Sequence, residues 1–257
     1  MKVLIIGARG PVAKGFIGAL EPYHTLRLAD IKLLESQHET IILDIASETD
    51  VIQAALGMDA IVNCSVIRND PVKSFDVNTK GAYNVMRAAL ENGIRKVIHT
   101  SPQALGGTYS SDFDLNEGAP PRPGIGLYSI TKYLGQEVCR IFAEEHHIQV
   151  VCFLYMGVIY ADGLVYGSAY RYKLGDDFSP YHVSYEDAGQ AARLALEVEN
   201  LPSYYETFLI AADTPHGKYS IEKAKRLLGF QPREDFHYVW RSDRVDERGH
   251  RVFRQQT

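Results

Sequence analysis

Short unbroken apolar runs alternate along this chain with longer stretches whose apolar residues recur at helical spacing. Residues 3–6, Val-Leu-Ile-Ile, make the first run, aliphatic throughout as in a strand buried on both faces. Val12, Phe16, Ile17 and Leu20 then fall on one stripe of a helix. Strand-like runs recur at 25–29, 40–43, 59–63, 95–101, 149–154 and 207–210. Helical patterns cover 48–56, 70–92, 127–147, a segment from 182 onward, and 220–228. Boundary residues agree with these spans: Asp70-Pro71 opens one helix, Asn92-Gly93 closes it, and Gly57 stops another. Ser184 with Asp187 three residues on is close to a capping box. Strands alternating with helices predict an α/β fold around a parallel sheet.

The first strand runs directly into Gly7-Ala8-Arg9-Gly10-Pro11-Val12-Ala13, and the second ends at Asp30, about twenty residues beyond the turn. Glycines there let the backbone approach a pyrophosphate, and the helix N-terminus supplies free N–H groups and positive dipole. An acid at the end of the second strand receives the adenosine ribose hydroxyls. The same pattern is open to a plainer reading, a tight turn in an ordinary α/β protein. The expected architecture is a Rossmann-like doubly wound parallel sheet: a dinucleotide-binding part over residues 1–154, and a small interleaved C-terminal substrate-binding portion over 155–257. Cofactor contacts are expected from Gly7, Arg9, Gly10, Pro11, Val12 and Asp30. The carboxylate of Asp30 would repel a 2′-phosphate, so NAD is favoured; Arg9, basic and in the turn, keeps NADP as the lesser alternative. Asp44, followed by Ile45 at the end of the third strand, either accepts from the adenine amino group or caps the next helix. Asn63, Cys64 and Ser65 end the fourth strand, and the segment on to Arg68 is expected to pass over the cofactor.

Composition narrows the class without naming a chemistry. At 257 residues, 46% hydrophobic and 23% charged, the chain fills one α/β domain with a modest appendage. A formal net charge of −5 argues against nucleic acid or an anionic membrane as partner. With no apolar run of bilayer length and a core strand at the N-terminus, a cytoplasmic protein is expected. Cys64, Cys139 and Cys152 are scattered, without metal-ligand spacing, and read as buried reduced thiols. His146 and His147 suit a helix C-terminus rather than a metal site.

Tyr128 and Lys132 lie four apart on the helix after the fifth strand, so they share a face. A tyrosine is a poor base at neutral pH, but a nearby ammonium favours its phenolate. Ser101, at the end of the fifth strand, can hydrogen-bond the reacting oxygen. Asn78, polar within the core-facing helix near Gly81, suggests a close approach to the sheet.

In this order the glycine turn, Asp30, the Asn78 helix, Thr100-Ser101 and Tyr128-x-x-x-Lys132 resemble the extended short-chain dehydrogenase/reductases over roughly residues 1–200, and most of all the uronate dehydrogenases. The segments carrying the closer likeness are Leu26 to Asp30, Ser101 to Gly106, and Pro121-Arg122-Pro123 through Lys132 to Glu137. The resemblance implies Tyr128 as acid/base, Lys132 as its partner and ribose ligand, Ser101 as substrate hydroxyl, and Asn78 as a structural or proton-relay residue. It also implies a homodimer through the Asn78 and Tyr128 helices, for which Val138, Ile141 and Phe142 offer apolar positions. Two residues depart from the pattern: Pro102 where a Ser, Thr or Asn is usual, and Tyr155 where the uronate enzymes carry an arginine. Beyond it, Tyr160, Tyr166, Tyr170, Arg171, Tyr172 and Lys173 can hold a polyol or pack in the core, with Arg171 as a replacement cation. The expected function is an NAD-dependent oxidoreductase acting on a hydroxyl of a small sugar. The alternatives are a nucleotide-sugar epimerase or dehydratase that retains NAD, and a non-catalytic NAD-binding sensor favoured by Pro102. Only about a hundred residues follow the sixth strand, which suits a small free sugar better than a nucleotide-sugar.

Overall fold

The structure is a computed structural model that describes residues 1–103, 115–160, 181–214, 219–234 and 236. Seven strands pair in parallel: β1 (Lys2–Ile6), β2 (Thr25–Asp30), β3 (Glu39–Ile42), β4 (Ala60–Asn63), β5 (Lys96–Pro102), β6 (Gln149–Tyr155) and β9 (Tyr205–Leu209). Their order is β3-β2-β1-β4-β5-β6-β9, so the chain winds outward from β1 in both directions. The reversal between β1 and β4 opens a crevice at the strands' C-terminal ends, where such sheets bind ligands. In register, Ile6 pairs with Asn63, Asn63 with His99, and Ser101 with Leu154. Strand ends 6, 63 and 101 therefore meet at one edge.

Helices cover both faces. On one, α1 (Pro11–Leu20) and α6 (Tyr185–Glu197) bury Phe16, Val62, Phe153 and Phe208. On the other, α2 (Glu48–Ala54), α4 (Gly81–Glu91) and α5 (Leu127–His146) bury Leu4, Val85, Val97 and Cys139. The C-terminal portion is woven into this core, since β9 extends the main sheet and α6 packs on α1. All three cysteines are buried and unpaired, as expected.

Several elements differ from the sequence expectation, each for a local reason. The third strand begins one residue earlier, at Glu39, where Arg27 makes an ion pair with it at 2.9 Å. The helix expected over 70–92 is α3 (Pro71–Ser74), a π-helical segment Phe75–Lys80, and α4. The π turn falls on Asn78, whose amide is fully engaged with neighbouring segments. Val183–Ser184 (β8) pairs with Val158–Ile159 (β7) before α6 begins, a two-residue ladder with no periodic signature. Ser184 caps α6, accepting from the Asp187 N–H at 2.9 Å. Asp187 turns its carboxylate instead to the backbone N–H groups of Arg233 and Glu234 at 2.9 and 3.1 Å, so only half a capping box forms. The last helix, α7 (Glu222–Leu228), ends at Gly229 in the left-handed conformation.

Candidate active site

The C-terminal edge of the sheet carries a cavity of ≈ 350 Å³. Gly10, Pro11 and Val12 contribute from the start of α1, and Cys64 and Arg68 from the segment after β4. Ser101 comes from β5, Tyr128 and Lys132 from α5, and Tyr155 from β6. Fold topology thus brings residues separated by most of the chain onto one space.

The nucleotide half is built from the glycine turn. Gly7 has φ +79, and a Cβ there would sit 2.7 Å from the Ser65 backbone nitrogen, so the turn and the β4 loop approach as only glycine permits. The α1 N-terminus has neither a side-chain cap nor an acidic residue in its first turn, unlike α2 and α6. Its N–H groups and dipole stay available to an anion. Asp30 accepts the Arg9 backbone N–H at 3.0 Å, which sets its carboxylate beside the turn. These features fit a dinucleotide with its pyrophosphate on α1 and its ribose at Asp30. Arg9 itself is exposed. Asp44 is exposed and accepts the Ala46 N–H at 2.9 Å, while Ser47 caps α2, so of the two readings of Asp44 the cap belongs to another residue. Ile45 is buried against Gly81, and its carbonyl accepts from Asn84 at 2.8 Å.

The other half of the cavity centres on α5. Lys132 is buried, and its Nζ donates to the Ser65 carbonyl at 3.4 Å. Burial lowers its pKa from 10.5 to about 8, against the smaller raising effect of Cys152, Cys139 and Cys64; Arg68 adds to the lowering. The Arg68 guanidinium lies over the Tyr128 ring, 4.1 Å from its centroid. Ser101 is buried and accepts from Gln136 Nε2 at 2.6 Å, which leaves its own O–H to donate. Pro102, beside it in the cavity wall, brings no hydroxyl. Tyr155 is buried with no hydrogen-bond partner on its hydroxyl among the described residues, and desolvation raises its pKa well above the ordinary value, so it stays a neutral phenol.

Asn78 reaches one loop and a helix rather than the sheet. Its Oδ1 accepts from Ile67 N–H at 3.0 Å, and its Nδ2 donates to the Ile67 carbonyl at 2.7 Å and to Thr131 Oγ1 at 2.9 Å. The amide thereby ties the segment after β4 to the helix of Tyr128. A Cβ on Gly135 would stand 2.4 Å from the Asn78 carbonyl oxygen, so the two helices approach backbone to backbone here. Asn63 sits behind the cavity, accepting from the Ser65 N–H and Oγ at 3.0 and 2.6 Å and meeting His99 Nδ1 at 3.3 Å.

Three residues at the site had no role of their own in the sequence reading. Gln136 is one further helical turn from Lys132, and His99 is two residues before Ser101 on the same strand face, so helical and strand periods carried both signals. Arg68 had no periodic signal, since it lies in a loop. Among the tyrosines, Tyr160 packs edge-on against Tyr185 at 4.6 Å. Gly106, Tyr166, Tyr170, Arg171, Tyr172 and Lys173 lie outside the described residues.

Such an arrangement defines a dinucleotide-dependent enzyme of the Rossmann fold, with the glycine turn on one side of the crevice and an α5 tyrosine and lysine on the other. Comparison with known proteins makes the class specific: the chain belongs to the NAD dependent epimerase/dehydratase family, whose model matches residues 3–161. NAD is its cofactor. The chain is 24% identical over 277 residues to an NAD-dependent glucose-6-phosphate dehydrogenase of Haloferax volcanii, covering 95% of this chain and 98% of that one. It is 27% identical over 157 residues to a uronate dehydrogenase of Pseudomonas syringae pv. tomato, covering 58% and 57%. Among solved structures, a glucuronic acid dehydrogenase from Chromohalobacter salexigens superposes with a TM-score of 0.78 at 19% identity, covering 95% and 91%. No helix among the described residues is long and apolar enough to cross a membrane.

Proposed function

We propose that the protein is a cytoplasmic, homodimeric NAD-dependent dehydrogenase that oxidises a hydroxyl of a small sugar. The observation that carries this reading is the convergence of Tyr128, Lys132 and Ser101 on the cavity that also takes in the α1 N-terminus. When bound, NAD supplies the hydride acceptor. Tyr128 takes the hydroxyl proton, and the Lys132 ammonium favours the phenolate needed for that step. Ser101 donates to the substrate oxygen, its lone pair side already held by Gln136. Lys132 would also hold the nicotinamide ribose, and Asp30 the adenosine ribose. Asn78 serves this site structurally, by fixing the Ile67 backbone against α5.

Names of the relatives support the substrate class: one acts on glucose 6-phosphate and another on uronates. Exposed Phe75, Leu134 and Ile141 with half-buried Val138 and Phe142 lie on the helices expected to pair in the dimer. Three free thiols support a reducing compartment. The test is NADH formation with added NAD across a panel of free hexoses, pentoses and uronates, wild type against Tyr128→Phe. Turnover that the variant loses supports the dehydrogenase. Tightly retained NAD, no NADH, and conversion of a nucleotide-sugar would replace it with an epimerase.

A further inference from the structure

We propose that Arg68 is the anion receptor of the substrate subsite, so that the preferred sugar carries a carboxylate or phosphate. The inference rests on the sugar-dehydrogenase reading for the word sugar, and on the cavity alone for the word anionic. No aspartate or glutamate lines this cavity among the described residues, while Arg68 and Lys132 both do. Lys132 is committed: it is buried beside Tyr128 and donates to the Ser65 carbonyl. Arg68 is not. Among the described residues its guanidinium meets the Tyr128 ring, 4.1 Å from the guanidinium carbon, and a ring face leaves the donor capacity of five N–H groups largely unused.

An exposed arginine is usually mobile, but this one is held on both sides. Ile67, immediately before it, has both backbone groups on the Asn78 amide, at 3.0 and 2.7 Å. Asp70, two residues after it, caps α3 by accepting from Val72 and Lys73 N–H at 3.0 and 2.9 Å. The stack on Tyr128 then fixes the guanidinium beside the proposed acid/base. A planar fork so placed matches a carboxylate or a phosphate bidentately, and a neutral sugar gives it nothing comparable. At the end of β6, Tyr155 offers only a neutral phenol.

Calorimetry on the full chain loaded with NADH tests this without needing turnover. The probes are glucose, glucuronate, glucose 6-phosphate and inorganic phosphate, against wild type, Arg68→Met and Arg68→Lys. One of the two anionic sugars should bind wild type at least about tenfold more tightly than glucose. Arg68→Met should erase that margin, and Arg68→Lys should restore part of it by charge without the fork. Whichever of glucuronate and glucose 6-phosphate shows the margin identifies the anion. Inorganic phosphate binding that competes with the sugar and depends on Arg68 supports the same site. Equal binding of glucose and both anionic sugars, a margin that survives Arg68→Met, or no binding of either anionic sugar overturns the proposal. Neutral-sugar turnover with no anionic margin would leave the dehydrogenase standing and remove this receptor. Arg68-dependent anion binding with no NADH from any sugar would do the reverse.

Discussion

Lys132→Met should make the protein more stable while removing its chemistry. The lysine sits at 2% exposure, and burial lowers its pKa from 10.5 to about 8. Each tenfold change in proton affinity is worth about 1.4 kcal/mol, so carrying the ammonium at pH 7 costs the fold about 3 kcal/mol. The sign follows from proton counts. Between about 8 and 10.5 the unfolded chain holds the lysine proton more tightly than the folded chain does. Stability attributable to this group therefore rises with pH through that window, and the whole cost is present below it. Methionine fills the same channel with an unbranched apolar stem and no charge. Urea unfolding of the cofactor-free proteins should show Lys132→Met more stable by about 3 kcal/mol at pH 7, falling below about 1 kcal/mol at pH 10. In heating scans that gain corresponds to roughly 6–12 °C for a chain of this size. Turnover should be lost, the usual exchange between stability and a strained functional group. A variant less stable than wild type at pH 7, or a difference that does not change with pH, would refute the reasoning and show that the ammonium stabilises the fold.

Two further substitutions probe the scaffold and the serine. Gly135→Ala puts a Cβ 2.4 Å from the Asn78 carbonyl oxygen and 3.3 Å from the Ala82 Cβ, so α5 must move off the π turn. A loss of about 1–3 kcal/mol in urea is expected, and a change under about 0.5 kcal/mol would mean the contact is soft. Gln136→Leu frees the Ser101 hydroxyl from its 2.6 Å partner, and kcat should fall about tenfold with the KM for NAD little changed. An unchanged kcat would show that Ser101 orients itself without Gln136.

The order of elements was legible because each buried strand of this parallel sheet is an apolar run and each helix carries one stripe. Residues 3–6, 97–101 and 150–155 are buried on both faces, which leaves alternation no role and makes the run itself the signal. That the glycine turn and Tyr128 with Lys132 share one cavity was legible because their spacing follows the regular elements they sit on. What depends on side chains crossing between elements was not. Nothing local in Asn78 says that it will bridge Ile67 and Thr131, eleven and fifty-three residues away. The π turn falls at the same residue and was equally hidden. Asp187 shows the same limit, since its carboxylate follows a partner forty-six residues on rather than its own helix start. Arg68 is a loop residue whose place over Tyr128 exists only once Asn78 has fixed the loop.

In the proposed reaction hydride leaves a sugar carbon for NAD while Tyr128 accepts the hydroxyl proton. A single turnover with a perdeuterated sugar substrate, followed by mass spectrometry of the isolated nicotinamide product, measures this directly. Wild type should give NADH one mass unit heavier, and Tyr128→Phe no labelled product. Labelled NADH formed at the same rate by the Phe variant, or unlabelled NADH from wild type, would contradict it.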